Sequence, residues 1–181
     1  MRLIAAGLGY ASVLQGRLAA GCALLEEAVS ISISTGARRA VYWAWLSEGC
    51  RLMGCGEEAW QHAHKALDLA RQHNERANEA LALHQLGVVQ AHADPPDVAQ
   101  AEAHYHQALA LAEALGMRPL VAHCHLGLGK LYGNIGRSEP AQAELFAAIE
   151  LYRAMDMTFW LPQAEAALAQ VGGVGLSAGG A

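Results

Sequence analysis

Bulky aromatic side chains are scarce: the 181 residues include 2 Phe, and Phe, Trp and Tyr together make up 6%. That scarcity, shared by the β-branched residues, argues against a β-sandwich or barrel, whose strands draw on those residue types. Charge is sparse too, at 16% of residues with a net charge of −5, which excludes the weakly apolar, highly charged composition of a disordered chain. The 12 Lys and Arg are scattered without a run or stripe, so nothing offers a platform for neutralising phosphates and no nucleic-acid partner is expected. Cysteine is limited to Cys22, Cys50, Cys55 and Cys124, too few and too apolar in setting for a secreted disulfide framework. They read as reduced core thiols of a cytoplasmic protein. Long hydrophobic runs are also missing. Met1-Arg2 followed by LIAAGLGYASVL and then Cys22 has the outline of a lipoprotein signal. Gln15, Gly16 and Arg17 interrupt it where a signal needs unbroken hydrophobicity, and the run is too short to span a bilayer. Neither a signal nor a membrane segment is expected.

What is abundant is small and apolar. The chain carries 38 Ala and 25 Leu within a hydrophobic fraction of 54%. Alanine is the best helix former and lets backbones approach closely, so the composition predicts a closely packed all-α protein.

The alanines are not spread at random. A Leu-Gly pair, a residue three further on, a second Gly four beyond that, and then small or apolar residues recur along the chain. The first copy is Leu8, Gly9, Ser12, Gly16, Gly21, Leu25 and Ala28; the second is Leu46, Ser47, Cys50, Gly54, Ala59, Ala63 and Ala66. The third has Leu86, Gly87, Gln90, then Ala101, Tyr105 and Ala108 after an expansion at Pro95-Pro96. The fourth is Leu128, Gly129, Tyr132, Gly136, Ala141, Leu145 and Ala148. From Gly9 to Ser47 to Gly87 to Gly129 the copies advance by 38, 40 and 42 residues.

This order of small and large residues resembles the tetratricopeptide repeat, a helix–turn–helix unit. Physically, the first Gly and the later Ala remove bulk where two helices touch, and the second Gly ends the first helix in a left-handed turn. Helix pairs are expected at about 2–15 with 18–34, 38–53 with 57–71, 76–92 with 97–115, and 118–134 with 138–155, with a capping helix near 158–170. The repeats then span about 2–35, 38–72, 76–116 and 118–156, the cap 157–170, and 171–181 form a disordered tail; residues 1–170 make one repeat domain. The implied fold is a right-handed superhelical solenoid of antiparallel helix pairs. Asp97 is a candidate N-cap after the Asp94-Pro95-Pro96 loop, and Pro119 and Pro140 fit first-turn positions. Val29-Ser30-Ile31-Ser32-Ile33-Ser34 alternates like a strand, but the repeat register makes it a helix end.

The second half supports a narrower likeness. From Ala91, the run HADPPDVAQAEAHYHQALALAEALGMRPLVAHCHLGLGKLYGNIGR, followed by AAIELYRAMDMTFWLPQAEAAL, is similar to the C-terminal region of large bacterial signalling proteins. Those proteins carry a class III adenylate/guanylate cyclase domain, a signal-transduction ATPase module, and then such repeats. The resemblance covers about residues 5–170 and is strongest over 92–168. It implies that the repeats bind partners and regulate the other domains. Their catalysis does not carry over, because the chain has no room for a cyclase domain. Its nearest approach to a phosphate-binding loop, Cys124 to Leu131, lacks the leading Gly and the final Ser or Thr and lies inside a helix. The expectation is a non-enzyme without a cofactor.

Chemical constellations are weak. His62/His64, His104/His106 and His123/His125 are spaced by two, about 200° apart on a helix, where chelation needs three or four. A set such as His84, His92 and His123, assembled across repeats, is the remaining metal alternative. The serines have no G-x-S-x-G setting. Glu26/Glu27 reads as a solvated face, Glu57/Glu58 as first-turn charge on a helix dipole, and Glu58/His62 and Glu102/His106 as weak pairs four apart. Trp43 falls at a packing position, Tyr42 and Trp45 point elsewhere with one of them free to reach solvent, and Trp160 is expected to seat the cap. Carrying the family register over, the first helices present Tyr10, Leu14, Glu48, Arg51, His84, Val88, His92, His123, Lys130 and Asn134 on a concave groove. That groove is mixed in charge and would take a protein or peptide. Packing falls to Gly9, Gly16, Trp43, Gly54, Ala59, Gly87, Ala101, Ala108, Gly129, Tyr132, Gly136, Ala141 and Ala148. The readings left beside a protein-interaction scaffold are a small-molecule or metal sensor in the groove and self-association through the apolar edge formed by residues 3–14.

Overall fold

A computed structural model describes residues 2–35 and 39–177. Among the described residues the chain forms nine helices and no strand: α1 (Arg2–Leu14), α2 (Leu18–Ser34), α3 (Ala40–Leu52), α4 (Gly56–Gln72), α5 (Arg76–Ala91), α6 (Val98–Ala114), α7 (Arg118–Asn134), α8 (Ser138–Ala154) and α9 (Leu161–Ser177). The ends of α1 to α8 fall within two residues of the ranges expected from the repeat. Two compact units divide the chain at Asp97/Val98, just beyond the Pro95-Pro96 expansion. The first holds α1 to α5 and the second α6 to α9.

Most helix boundaries share one device. Gly16, Gly54 and Gly136 close the turns inside pairs with φ of 79°, 81° and 76°, and Asn74, Gly116 and Asp156 close turns between pairs at 54°, 67° and 55°. At each, the amide of the next residue donates back five positions. Arg17 N–H reaches the Ser12 carbonyl at 2.9 Å, Cys55 reaches Cys50 at 2.9 Å and Glu75 reaches Ala70 at 2.8 Å. Met117 to Ala112 at 2.8 Å, Arg137 to Tyr132 at 2.9 Å and Met157 to Tyr152 at 2.9 Å complete the set. This is the Schellman closure, which satisfies the last carbonyls of a helix and favours a residue able to adopt φ > 0. Asn and Asp tolerate that conformation better than other side chains.

In the first unit, α1 packs on α2, α3 on α4, and α3 lies beside both α1 and α5. The contact between α1 and α2 is backbone-close. A Cβ at Gly21 would lie 2.7 Å from the Gly9 carbonyl oxygen and 2.9 Å from the Val13 nitrogen. The second repeat puts Ser47 where the others have Gly, and its buried hydroxyl donates to the Ala59 carbonyl on α4 at 2.7 Å. Val13, Leu25, Val29, Tyr42, Leu46, Cys50 and Val89 fill the core around these contacts. The alternating segment Val29–Ser34 is helical, as the repeat register requires. Its buried Ser32 hydroxyl accepts the Arg39 amide at 3.0 Å, so a polar residue on the inner face is satisfied.

In the second unit, α7 packs on α6 and α8, and α9 covers α8 and part of α7. Gly127 admits the Tyr105 ring, and Gly129 admits Leu145, whose Cγ would lie 2.6 Å from an added Cβ. Tyr105, Cys124, Leu128, Leu145 and Tyr152 are fully buried. The capping helix departs from expectation at both ends. It begins at Leu161 and continues through Gly172 and Gly173 to Ser177, so 171–177 are helical where a disordered tail was expected. Buried Val171 supplies the reason: it docks where Gly133 of α7 leaves room, its Cγ2 occupying a site 2.8 Å from an added Cβ. That contact anchors the helix at the residue just before a pair of poor helix formers. The remainder of the expected tail, 178–181, lies outside the described residues.

Candidate functional site

On the first unit, α1 and α3 bring together several residues of the expected groove. Tyr10 stacks on Trp45 with ring centroids 5.0 Å apart and planes within 8°. Trp45 also meets Tyr42 at 6.0 Å. Burial first, and then the Glu48 carboxylate, push the Tyr10 hydroxyl up to about 12. Glu48 grips Arg51 through two bonds of 2.8 and 3.0 Å, with both side chains largely buried. Leu14 at the end of α1 is half-buried. The aromatic trio differs from expectation: Tyr42 is in the core, Trp45 is held under Tyr10, and Trp43 packs on Ala40, Leu69 and Ala70 with His62 at 5.3 Å. None of the three projects freely, because each ring has an aromatic or apolar neighbour from another helix or turn.

The same unit contains an open cleft of about 680 Å³, where the α3–α4 turn meets the end of α5. Arg51 and Glu57 lie on its α3–α4 side with Trp60 of α4, and Val89, Gln90, His92 and Asp94 lie on its α5 side. Arg51 and His92 of the expected groove therefore line one cleft, whereas His84 and Val88, both half-buried on α5, are not among its lining residues. His92 Nδ1 lies 2.8 Å from the Val88 carbonyl. A carbonyl can only accept, so Nδ1 carries the proton and Nε2 is the acceptor of the neutral ring. Trp60 is 42% exposed and packs against His64 at 3.9 Å. Sequence reasoning passed over Trp60 because it weighed first helices only. The signal was present: Ala59, Ala63, Ala66 and Ala70 form the buried stripe of α4, and a Trp beside that stripe has no core to enter.

The expected groove residues of the second unit play different parts. His123 on α7 shares a 2.7 Å hydrogen bond with the Tyr152 hydroxyl, and the Trp160 indole meets its ring edge-on at 4.7 Å. It joins α7, α8 and the segment leading into α9. Lys130 and Asn134 are exposed on α7. Tyr132 donates to Glu102 Oε1 at 2.6 Å, and Arg137 lies 3.5 Å from the same oxygen and 4.6 Å from the Tyr132 ring centroid. Burial first, then the hydrogen bond to Glu102, push the Tyr132 hydroxyl up to about 12. His125 meets Glu144 at 2.6 Å, linking α7 to α8.

Of the expected packing residues, Gly9, Ala59, Gly87, Ala101, Ala108, Gly129, Tyr132, Ala141 and Ala148 are buried. Gly16, Gly54 and Gly136 form turns, and Trp43 is half-buried. All four cysteines are free thiols. Burial pushes Cys50 and Cys124 up to about 12, so they are poor thiolate nucleophiles at neutral pH. Among the described residues no three His, Cys, Asp or Glu side chains group as a metal site, and no helix is long and apolar enough to cross a membrane.

Several solved structures share this architecture. RapI in its apo form matches with a TM-score of 0.74 at 15% identity, over 97% of this chain and 64% of that one. A signal transduction ATPase with numerous domains and a tetratricopeptide repeat sensor, from Pyrococcus horikoshii, matches with a TM-score of 0.69 at 20% identity, over 92% of this chain and 26% of that one. The nearly identical TPR-like repeats of a Podosopora anserina kinesin light chain match with a TM-score of 0.62 at 16% identity, over 98% and 96%. The chain spans 64% of the length of RapI. No protein-family model matches the chain, and no curated protein does. At these identities the likeness is one of fold: the chain is an all-α array of tetratricopeptide-like repeats.

Proposed function

We propose that the chain is a non-catalytic, cytoplasmic interaction module that binds a polypeptide partner across the first helices of its repeats, as the sensing arm of a bacterial signalling protein. The observation that carries this reading is the surface made by α1 and α3. There Tyr10 is stacked on Trp45 beside the two-bonded Glu48–Arg51 pair. Rigid aromatic rings and an oriented guanidinium are the side chains that dominate protein interfaces, because little conformational freedom is lost when they are covered. The sensor role draws on the narrower sequence resemblance and on the fold shared with an ATPase carrying a repeat sensor.

The test is selection of peptides on the immobilised full chain, followed by calorimetry of the selected peptides. Enriched peptides should bind, and Arg51→Glu should weaken them by about tenfold or more. Selection of no peptide, or unchanged affinity in Arg51→Glu, would overturn the reading. A second reading, self-association, is favoured by Leu8 on α1 and Ile33 on α2, which are 53% and 60% exposed. Sedimentation of Leu8→Glu beside the unaltered chain tests it: an unaltered chain that stays monomeric at high concentration removes it.

A further inference from the structure

The cleft between the α3–α4 turn and the end of α5 has the size of a ligand site, about 680 Å³ against roughly 300–1,000 Å³ for pockets that hold ligands. Its floor includes an exposed indole. Trp60 is 42% exposed on a helix whose large apolar side chains Leu67 and Leu69 are buried, so much of its apolar area stays in water. The His64 ring against it, with His64 Nδ1 3.2 Å from the Trp60 carbonyl, fixes the indole in place.

The charges around the indole decide what it can receive. Arg51 is the cation of the cleft, and Glu48 already holds it in a two-bonded pair. Glu57 and Asp94 are the anions, and among the described residues neither is paired with a cation; Glu57 only accepts the Gln61 amide at 3.0 Å. His92 faces the same space with Nε2 as an acceptor when neutral. The cleft thus combines a Trp face, two unneutralised carboxylates and an imidazole acceptor. A Trp face is the best aromatic surface for a cation, and an anionic ligand would meet two like charges.

We propose that this cleft receives a basic side chain, arginine or lysine, of a partner polypeptide, the cation resting on Trp60 between Glu57 and Asp94. The inference rests on the polypeptide-binding reading above and adds both a site and a sign of charge to it.

The experiment follows the four indole N–H signals by NMR in the full chain during titration with N-acetyl-arginine amide, N-acetyl-lysine amide and N-acetyl-glutamate amide. The basic probes should shift the Trp60 indole and the Gly54, Gly56 and His92 amides saturably. Glu57→Gln or Asp94→Asn should weaken that response by about fivefold, and Trp60→Ala, at an exposed position, should abolish the shifts at Gly54 and His92. Equal shifts from the glutamate probe, or no shifts from the basic ones, would overturn the assignment. Peptides from the selection supply the second arm. If they respond to Arg51→Glu but carry no enriched Arg or Lys and ignore Asp94→Asn, the cleft assignment fails while the polypeptide-binding reading stands. If selection yields no peptide, that reading fails, and the amide probes alone decide whether the cleft binds a cation.

Discussion

The two compact units are built from the same repeat yet use their polar and aromatic residues differently. In the second unit they tie helices together: Tyr132 with Glu102 and Arg137, His125 with Glu144, and His123 with Tyr152 and Trp160. Both units remove bulk at helix contacts, at Gly9, Gly21 and Gly49 in the first and at Gly127, Gly129 and Gly133 in the second, but the first has fewer side-chain hydrogen bonds between helices, chiefly Ser47 to the Ala59 carbonyl and Arg71 to Glu79. There Arg51, Trp60 and His92 line the cleft, and the half-buried Tyr10–Trp45 stack packs against the core. Cross-helix hydrogen bonds commit polar and aromatic groups to stability, and where fewer are made such groups are left to line a cleft.

The sharpest way to break that comparison is to restore bulk at one glycine in each unit. Gly21→Ala presses a methyl into the Gly9 carbonyl and the Val13 backbone and should cost about 3 kcal/mol, while Gly129→Ala presses mainly on the buried Leu145 side chain, with the Leu145 nitrogen 3.2 Å away, and should cost about 2 kcal/mol. Urea melts of the two variants would show it; equal losses would mean that α1 and α2 separate as readily as a side chain turns. Next in size is the alkaline limb of stability. Cys50 and Cys124 are raised from about 9 to about 12 by burial, one in each unit. The unfolded thiols therefore lose protons first, so this stability is complete below pH 9 and is lost as pH climbs towards 12. Cys50→Ala should flatten the alkaline loss from the first unit and Cys124→Ala that from the second, read as melting temperature against pH. A slope unchanged in both variants would assign the loss to the tyrosines.

A smaller effect separates hydrogen bonding from packing within the first unit. Ser47→Ala removes the buried bond to the Ala59 carbonyl but keeps the Cβ, and should cost about 1 kcal/mol because that carbonyl lies within α4 and retains its helical setting. A loss above about 3 kcal/mol would mean that the hydroxyl holds α3 and α4 together. The least effect is expected in the second unit at Arg153→Ala, whose 2.8 Å pair with Glu165 is solvent-exposed on both sides. Chemical denaturation should register a change below about 0.5 kcal/mol.

Much of the fold was legible because small-residue spacing records helix contacts directly. Gly9 and Gly129 mark positions where a Cβ would crowd the neighbouring helix, Ala59 and Ala141 are buried small residues, and Gly16, Gly54 and Gly136 mark left-handed turns. Asn74 and Asp156 perform the same turn with ordinary-looking residues, so those boundaries carried no glycine signal. The run of α9 past Gly172 was hidden for a different reason. Local propensity argues against it, and the contact that anchors the helix just before the pair, Val171 at Gly133, lies 38 positions away in the chain. Site residues were harder still. His123 was assigned to a groove by register, but its hydrogen-bond partner Tyr152 lies 29 residues away on α8. Trp60 belongs to a second helix and enters the cleft because the α3–α4 turn and the end of α5 converge there, a juxtaposition that no single repeat encodes.

The recurrent closure at Gly16, Gly54, Asn74, Gly116, Gly136 and Asp156 makes the chain modular at the level of its genetic history. Each junction is completed by main-chain groups, so two helices can be joined there whatever side chains flank the splice. A duplication or deletion that begins and ends at such junctions produces no uncapped helix and leaves only the interhelical fit to be refined by point substitution. The first, second and fourth copies keep the same corner inside the pair, at Gly16, Gly54 and Gly136, while the third replaces it with the Pro95-Pro96 expansion, so the corner recurs without being required at every joint.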